Sequence, residues 1–212
     1  MMNYEEAPRR ASQSVLREYA NGIRQVNALV KCLCQKGDLP ERFTPEPLKL
    51  HPSLEGKVRQ ETITIGGRTP QELLSELSQN GVNVSLYAKS MIANPAFTTL
   101  PQPEQIDLVR LQVSDLVIGK NHPTTDQIYQ KAQELGLKPC PAEVGPHYRD
   151  QYKNQPRDEL VVVGMQQIAV SDGYPRVFVL VHDPRGLWLF DSWAYPHGRW
   201  DPGHQFVFSL RK

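Results

Sequence analysis

From Glu159 onward the chain is divided into short apolar runs by turn signals. "ELVVVGMQQIAV", "RVFVLVHD", "GLWLFD" and "HQFVFSLR" are rich in β-branched and aromatic residues, the types that fit a pleated, half-buried surface. "SDGYP" and "DPRG" lie between the first three, and both carry the Asp, Pro and Gly that favour tight turns. In the last run Phe206, Phe208 and Leu210 alternate with Val207 and Ser209. The pattern predicts a four-stranded antiparallel meander over residues 159–212. Helical patterns precede it and are expected to cover one face. The expected fold class is therefore α+β: an N-terminal helical part followed by this sheet, with helices on one face.

Three segments organise the rest. Residues 1–38 read as an amphipathic helix, in which Leu16, Tyr19, Ile23, Val26, Val30 and Leu33 form a seam at alternating spacings of three and four. Arg10, Arg17, Arg24 and Lys31 form a basic stripe beside it, and Gly37 and Pro40 stop it. Residues 39–60 read as a proline-rich linker. Residues 61–212 form the α+β domain, helical over 69–152. It opens with "ETITIGG", a strand closed by a Gly-Gly turn. Next comes a helix with Thr69 as N-cap, Pro70 at its first position and Glu72 completing a capping box. Leu73, Leu74 and Leu77 are its apolar face, Gly81 ends it, and Ser85 caps a second helix. The stretch "EQIDLVRLQV" mixes helical and extended signals. "TTDQIYQKAQELGL" reads as a helix capped at Thr124 or Thr125, with Ile128, Tyr129, Ala132 and Leu135 buried.

The formal net charge is +1, so no whole-chain basic field announces nucleic acid or an anionic membrane. No run approaches the roughly 20 apolar residues of a membrane span, and "MMNYEEAPRR" lacks an apolar signal core. A cytoplasmic setting without membrane contact is expected. Cys32, Cys34 and Cys140 are an odd set, read as buried free thiols. No phosphate-binding, dinucleotide or metalloprotease signature is present, and no cofactor is expected.

Three places could carry chemistry. In "CPAEVGPHYRDQY", Glu143 and His147 are four apart and close to Cys140. A thiol, an imidazole and a carboxylate are the parts of a nucleophilic site, although Gly145-Pro146 argues against a continuous helix here. The competing reading is a turn in which Glu143 caps or pairs with Arg149 and Cys140 is buried. "IGGRT" is a Gly-rich turn opening a helix, so Gly66, Gly67, Arg68 and Thr69 could hold an anion; a capped helix start needs none. Third is "LWLFDSWAYPHGRW". Trp188 and Phe190 share a strand face, with Leu187 and Leu189 on the other, which reads as a central, doubly covered strand. Trp193, Tyr195, His197, Arg199 and Trp200 lie beyond it, either folded back on the core or lining a binding groove. His182, Asp183, Asp191, His197, Asp201 and His204 could only bind zinc if three or four converged, and no metal site is expected.

"ITIGGRTPQELLSEL", "DLVRLQVSDL", "TTDQIYQKAQELGLKPCPAEVGPHYRDQY" and "GLWLFDSWAYPHGRWDPGHQFVFSLRK" together resemble a family of uncharacterised bacterial proteins. Many of these come from uncultivated candidate phyla. The likeness covers residues 62–212 and is carried best by the CPAEVGP segment and the Trp-rich ending. It implies no activity and no site residues.

The sequence favours a non-catalytic binding or interaction module. A small hydrolase or transferase using Glu143, His147 and possibly Cys140 is the alternative, and a nucleic-acid accessory protein is the second. The helix over residues 11–36 is the expected route to a homo-oligomer or a protein partner.

Overall fold

A computed structural model describes residues 50–116 and 122–210. The amphipathic helix expected before residue 38, with its basic stripe, and Cys32 and Cys34 lie outside the described residues. Among the described residues, nine strands form one mixed sheet: β1 (Arg59–Ile65), β2 (Asn83–Val84), β3 (Glu104–Gln112), β4 (Leu137–Lys138), β5 (Leu160–Val163), β6 (Ile168–Ala169), β7 (Pro175–Asp183), β8 (Gly186–Trp193) and β9 (Gln205–Leu210). Four α-helices accompany it among the described residues: α1 (Pro70–Gln79), α2 (Leu86–Ile92), α3 (Thr125–Glu134) and α4 (Val144–Gln151).

The strands run β1-β3-β9-β5-β7-β8-β2 across the sheet, with β4 also on β9 and β6 also on β7. This overturns the four-stranded antiparallel meander. The β5-β7-β8 ladder is antiparallel as expected. However, β9 does not follow β8. It inserts between β3 and β5, antiparallel to the first and parallel to the second. A parallel pair cannot be joined by a tight hairpin, and the chain between β5 and β9 runs through β6, β7, β8 and the long return after Trp193. The segment of mixed signals, "EQIDLVRLQV", is the long strand β3.

Helices cover both faces rather than one. Along a strand, side chains alternate between faces, so Val162, Val179, Phe206 and Phe208 share one face by their register. There α3 packs, with the Tyr129 ring 5.5 Å from that of Phe208 at 86°. Phe178 points to the opposite face, against α4 at Gly145. Burial on both sides explains why Val161, Val162 and Val163, and Val177 through Leu180, are all buried. β8 is not central: among the described residues only the two-residue β2 lies outside it. Leu189 is buried, whereas Trp188 and Phe190 are half-buried.

The local capping signals hold. Thr69 and Glu72 form the capping box of α1, Thr124 and Gln127 that of α3, and Ser85 caps α2. Against expectation, residues 144–151 are a continuous helix through Gly145-Pro146. Pro146 falls in the first turn, where its missing N–H would have had no intrahelical acceptor. Among the described residues, no helix is long and apolar enough to cross a membrane.

Gly145 is where α4 approaches the sheet. An added Cβ would lie 2.5 Å from Phe178 Cδ2 and 2.7 Å from its Cγ. Helix propensity alone favours Ala over Gly by about 1 kcal/mol, but overpacking a buried ring costs about 1–3 kcal/mol. Gly145→Ala is predicted to lower stability, read as an earlier urea midpoint with an unchanged slope. A later midpoint would contradict this packing.

Candidate functional site

Glu143, His147 and Gln151 stand four residues apart and face the outer edge of β1. Four helical residues rise about 6 Å and two strand residues span about 6.6 Å. The helix face and the outward backbone groups of the strand can therefore run in step. Gln151 Oε1 accepts from Thr64 N at 3.1 Å, and its Nε2 donates to Thr64 O at 2.7 Å. Two residues on, Gly66 N donates to Glu143 Oε2 and His147 Nε2, each at 3.1 Å. Glu143 Oε1 accepts from Leu100 N at 3.0 Å. Gly66 has φ +79°, and a Cβ there would lie 2.3 Å from Gln102 O, so only glycine brings this amide to the carboxylate.

The structure thus brings Glu143 and His147 together, with Oε2 and Nε2 3.6 Å apart, but closes them in: each side chain is 2% exposed or less. Cys140 is also buried, and its thiol meets Val207 O at 3.6 Å instead of the imidazole. Burial pushes the Cys140 thiol far above the ordinary range, the reverse of an activated nucleophile. The expected anion-binding turn is likewise occupied by the chain itself. Gly66 N holds Glu143, Gly67 N donates to Leu100 O, Thr69 N donates to Glu72, and Arg68 pairs with Glu76. Arg149, on the same helix as His147, is wholly buried against Gln155 Oε1 and Tyr152 O. Burial pushes its guanidinium down to about 10, leaving it cationic at neutral pH.

The aromatic segment divides cleanly. Trp200 is core, 6% exposed, with its ring 4.9 Å from Phe206 and its Nε1 donating to Thr125 Oγ1 at 2.9 Å. Trp193 is 58% exposed and Tyr195 is exposed beside it. His197 is exposed in the same loop and Arg199 is close by, donating to His122 O. Asp191 belongs to a different cluster, and His182 contacts Gln155 O. Among the described residues, no group of three His, Cys, Asp or Glu is placed to hold a metal ion.

Trp193 sits on a polar base that sequence reasoning missed. Arg176 lies directly opposite it across the β7-β8 ladder. Its NH1 donates to Asp191 Oδ2 and its NH2 to Asp172 Oδ2, both at 2.6 Å. Asp191 is further held by Ser85, the cap of α2, at 2.7 Å, and Asp172 by Tyr174 N at 3.0 Å. Burial alone would lower the Arg176 pKa, yet the two aspartates raise it above its ordinary value. Burial likewise works to raise Asp172, and the Tyr174 amide and Arg176 bring it below its ordinary range. The guanidinium lies 3.7 Å from the Tyr87 ring centroid and 5.8 Å from that of Trp193.

Above this base Tyr174, Trp193 and Tyr195 form a continuous ridge, and Tyr87 lies against the same guanidinium. Tyr174 stands 6.0 Å from Trp193 at 70°, and 5.9 Å from Tyr195 at 64°. Tyr87, Tyr174, Trp193 and Tyr195 are all exposed. The sequence held one cue to it: an Arg heading the apolar run "RVFVLV", four residues after Asp172. No protein-family profile matches the chain, and neither curated proteins nor solved structures show a significant match.

This arrangement leads to two expected outcomes. Glu143→Leu leaves Leu100 N without an acceptor and is predicted to cost about 3 kcal/mol, since bonds to charged groups contribute about 1.5–3 kcal/mol each. Glu143→Gln keeps one acceptor but turns an NH₂ toward an N–H, costing about half as much. Denaturant midpoints within about 0.5 kcal/mol of the parent for both variants would contradict the clamp. Second, native-state alkylation followed by peptide mapping should leave Cys140 unlabelled until denaturant is added; labelling of the folded chain at a free-thiol rate would contradict its burial.

Proposed function

We propose that this chain is a non-catalytic binding module whose ligand surface is the ridge of Tyr87, Tyr174, Trp193 and Tyr195. The observation that carries this reading is the contrast between the ridge and its base. Four large rings stand in solvent, mounted on an arginine and two aspartates held by four short hydrogen bonds. Tyr and Trp bury large area at low entropic cost, and contiguous exposed apolar patches mark interaction sites. The Glu143, His147 and Cys140 group supports no hydrolytic reading as placed, because its polar atoms are engaged by the fold and closed to a substrate.

The expected signature is a surface that matters for binding and not for folding. Trp193→Ala should change stability by no more than about 0.5 kcal/mol, as exposed positions do. Trp200→Ala should cost about 3–5 kcal/mol, as buried aromatics do. A protein-observed fragment screen by NMR tests the reading. Hits are expected to cluster on the amides of residues 174, 193 and 195; hits clustering elsewhere, or none on the ridge, would overturn it.

A further inference from the structure

The hydrogen-bonding character of the ridge points to its ligand, a step that rests on the binding-module reading. The hydroxyls of Tyr87, Tyr174 and Tyr195 and the indole N–H of Trp193 have no hydrogen-bond partner among the described residues. The other two indoles do: Trp188 donates to Asp183 and Trp200 to Thr125. The ridge therefore presents one N–H donor and three hydroxyls that can donate or accept between apolar rings. Its charged groups are already matched, since Arg176 holds Asp172 and Asp191.

That combination sorts ligand classes. A nucleic acid strand needs a cation for its phosphates, and the arginine under the ridge has a side chain 5% exposed, bound to two carboxylates. A sugar's hydroxyls donate as well as accept and call for strong acceptors, yet both carboxylates here already accept from Arg176, Ser85 and Tyr174, which leaves only the tyrosine oxygens. A proline-rich segment brings the opposite set. Proline has no N–H, its carbonyls accept, and a polyproline II helix leaves them all free because it makes no internal hydrogen bonds. Its rings pack on aromatic faces, and its preset backbone loses little entropy on docking. Tyr174 is turned 70° from Trp193 and 64° from Tyr195, so the three rings offer both faces and edges against which a pyrrolidine can pack.

We infer that the ridge of Tyr87, Tyr174, Trp193 and Tyr195 binds an uncharged, proline-rich segment of a partner protein in polyproline II conformation. The four free donors meet its carbonyls, and the rings meet its prolines.

The test uses the full ¹⁵N-labelled chain and follows the Trp193 indole signal, assigned by its loss in Trp193→Ala. The probes are acetyl-decaproline-amide, a (Gly-Ser)₅ peptide, cellohexaose and a ten-nucleotide single-stranded DNA. Decaproline should shift the Trp193 signal saturably, (Gly-Ser)₅ should not, and Tyr174→Ala should weaken the decaproline response about tenfold with the melting temperature unchanged, a loss of about 1.4 kcal/mol. An unmoved Trp193 signal with decaproline overturns the inference. So does a shift with cellohexaose or DNA in its place, which would leave the binding-module reading standing with a different ligand. A Trp193 signal that shifts with protein concentration alone also overturns it, naming a second copy as the occupant. Failure of the module reading is read separately, from the fragment screen.

Discussion

The pairing of α4 with the free edge of β1 is the contact on which the rest of the domain depends. An edge strand exposes a row of unpaired backbone groups, and proteins must cover it. Here the cover is made by side chains: Gln151 on Thr64, and Glu143 with His147 on Gly66. The same Glu143 reaches Leu100 just before β3, so one buried carboxylate ties the helix to both β1 and the approach to β3. Gly145 then seats the helix directly on Phe178 at the middle of the sheet. A carboxylate four residues from an imidazole, which in sequence resembles a catalytic pair, is in this fold the answer to a backbone's unmet hydrogen bonds.

Local signals and long-range ones fare differently in this chain. Capping signals at Thr69, Thr124 and Ser85 are legible because an N-cap is decided by residues within four positions of it. The β7-β8 hairpin is legible for the same reason, through Asp-Pro-Arg-Gly. The insertion of β9 between β3 and β5 is not, because nothing local to "QFVFSL" distinguishes its neighbours. The unbroken runs "VVV" and "VFVLV" do carry a sign of two-sided burial, which a four-stranded, one-sided sheet could not have satisfied. Strand β3 is obscured by its own tertiary role: Arg110 is buried there, paired with Glu61 and Glu159, and breaks the apolar alternation.

The candidate site is half legible. Trp193 and Tyr195 stand out in the aromatic segment, and its division into a core Trp200 and an exposed Trp193 depends on where β8 ends. Tyr87 and Tyr174 are out of reach of the sequence, since they come from a helix start and a turn that are brought to Arg176 and Trp193 only through the sheet. What unites them is Arg176. Its two aspartates come from the preceding turn and the neighbouring strand, and the cap of α2 is bonded to one of them. A buried ion pair of this kind is weak evidence for stability by itself, and its value here is to fix three elements under one exposed surface.

The buried polar cluster belongs to the architecture and the aromatic ridge to the proposed function, and native-state hydrogen exchange separates the two most directly. If Glu143 and His147 are a clamp, the amides of Gly66 and Leu100 exchange only through global unfolding, with protection free energies equal to those of Val162 and Phe206 at the sheet centre. If instead those two amides exchange through a local opening that leaves the sheet protected, the cluster opens to solvent in the folded state, and its assignment as a structural clamp is contradicted.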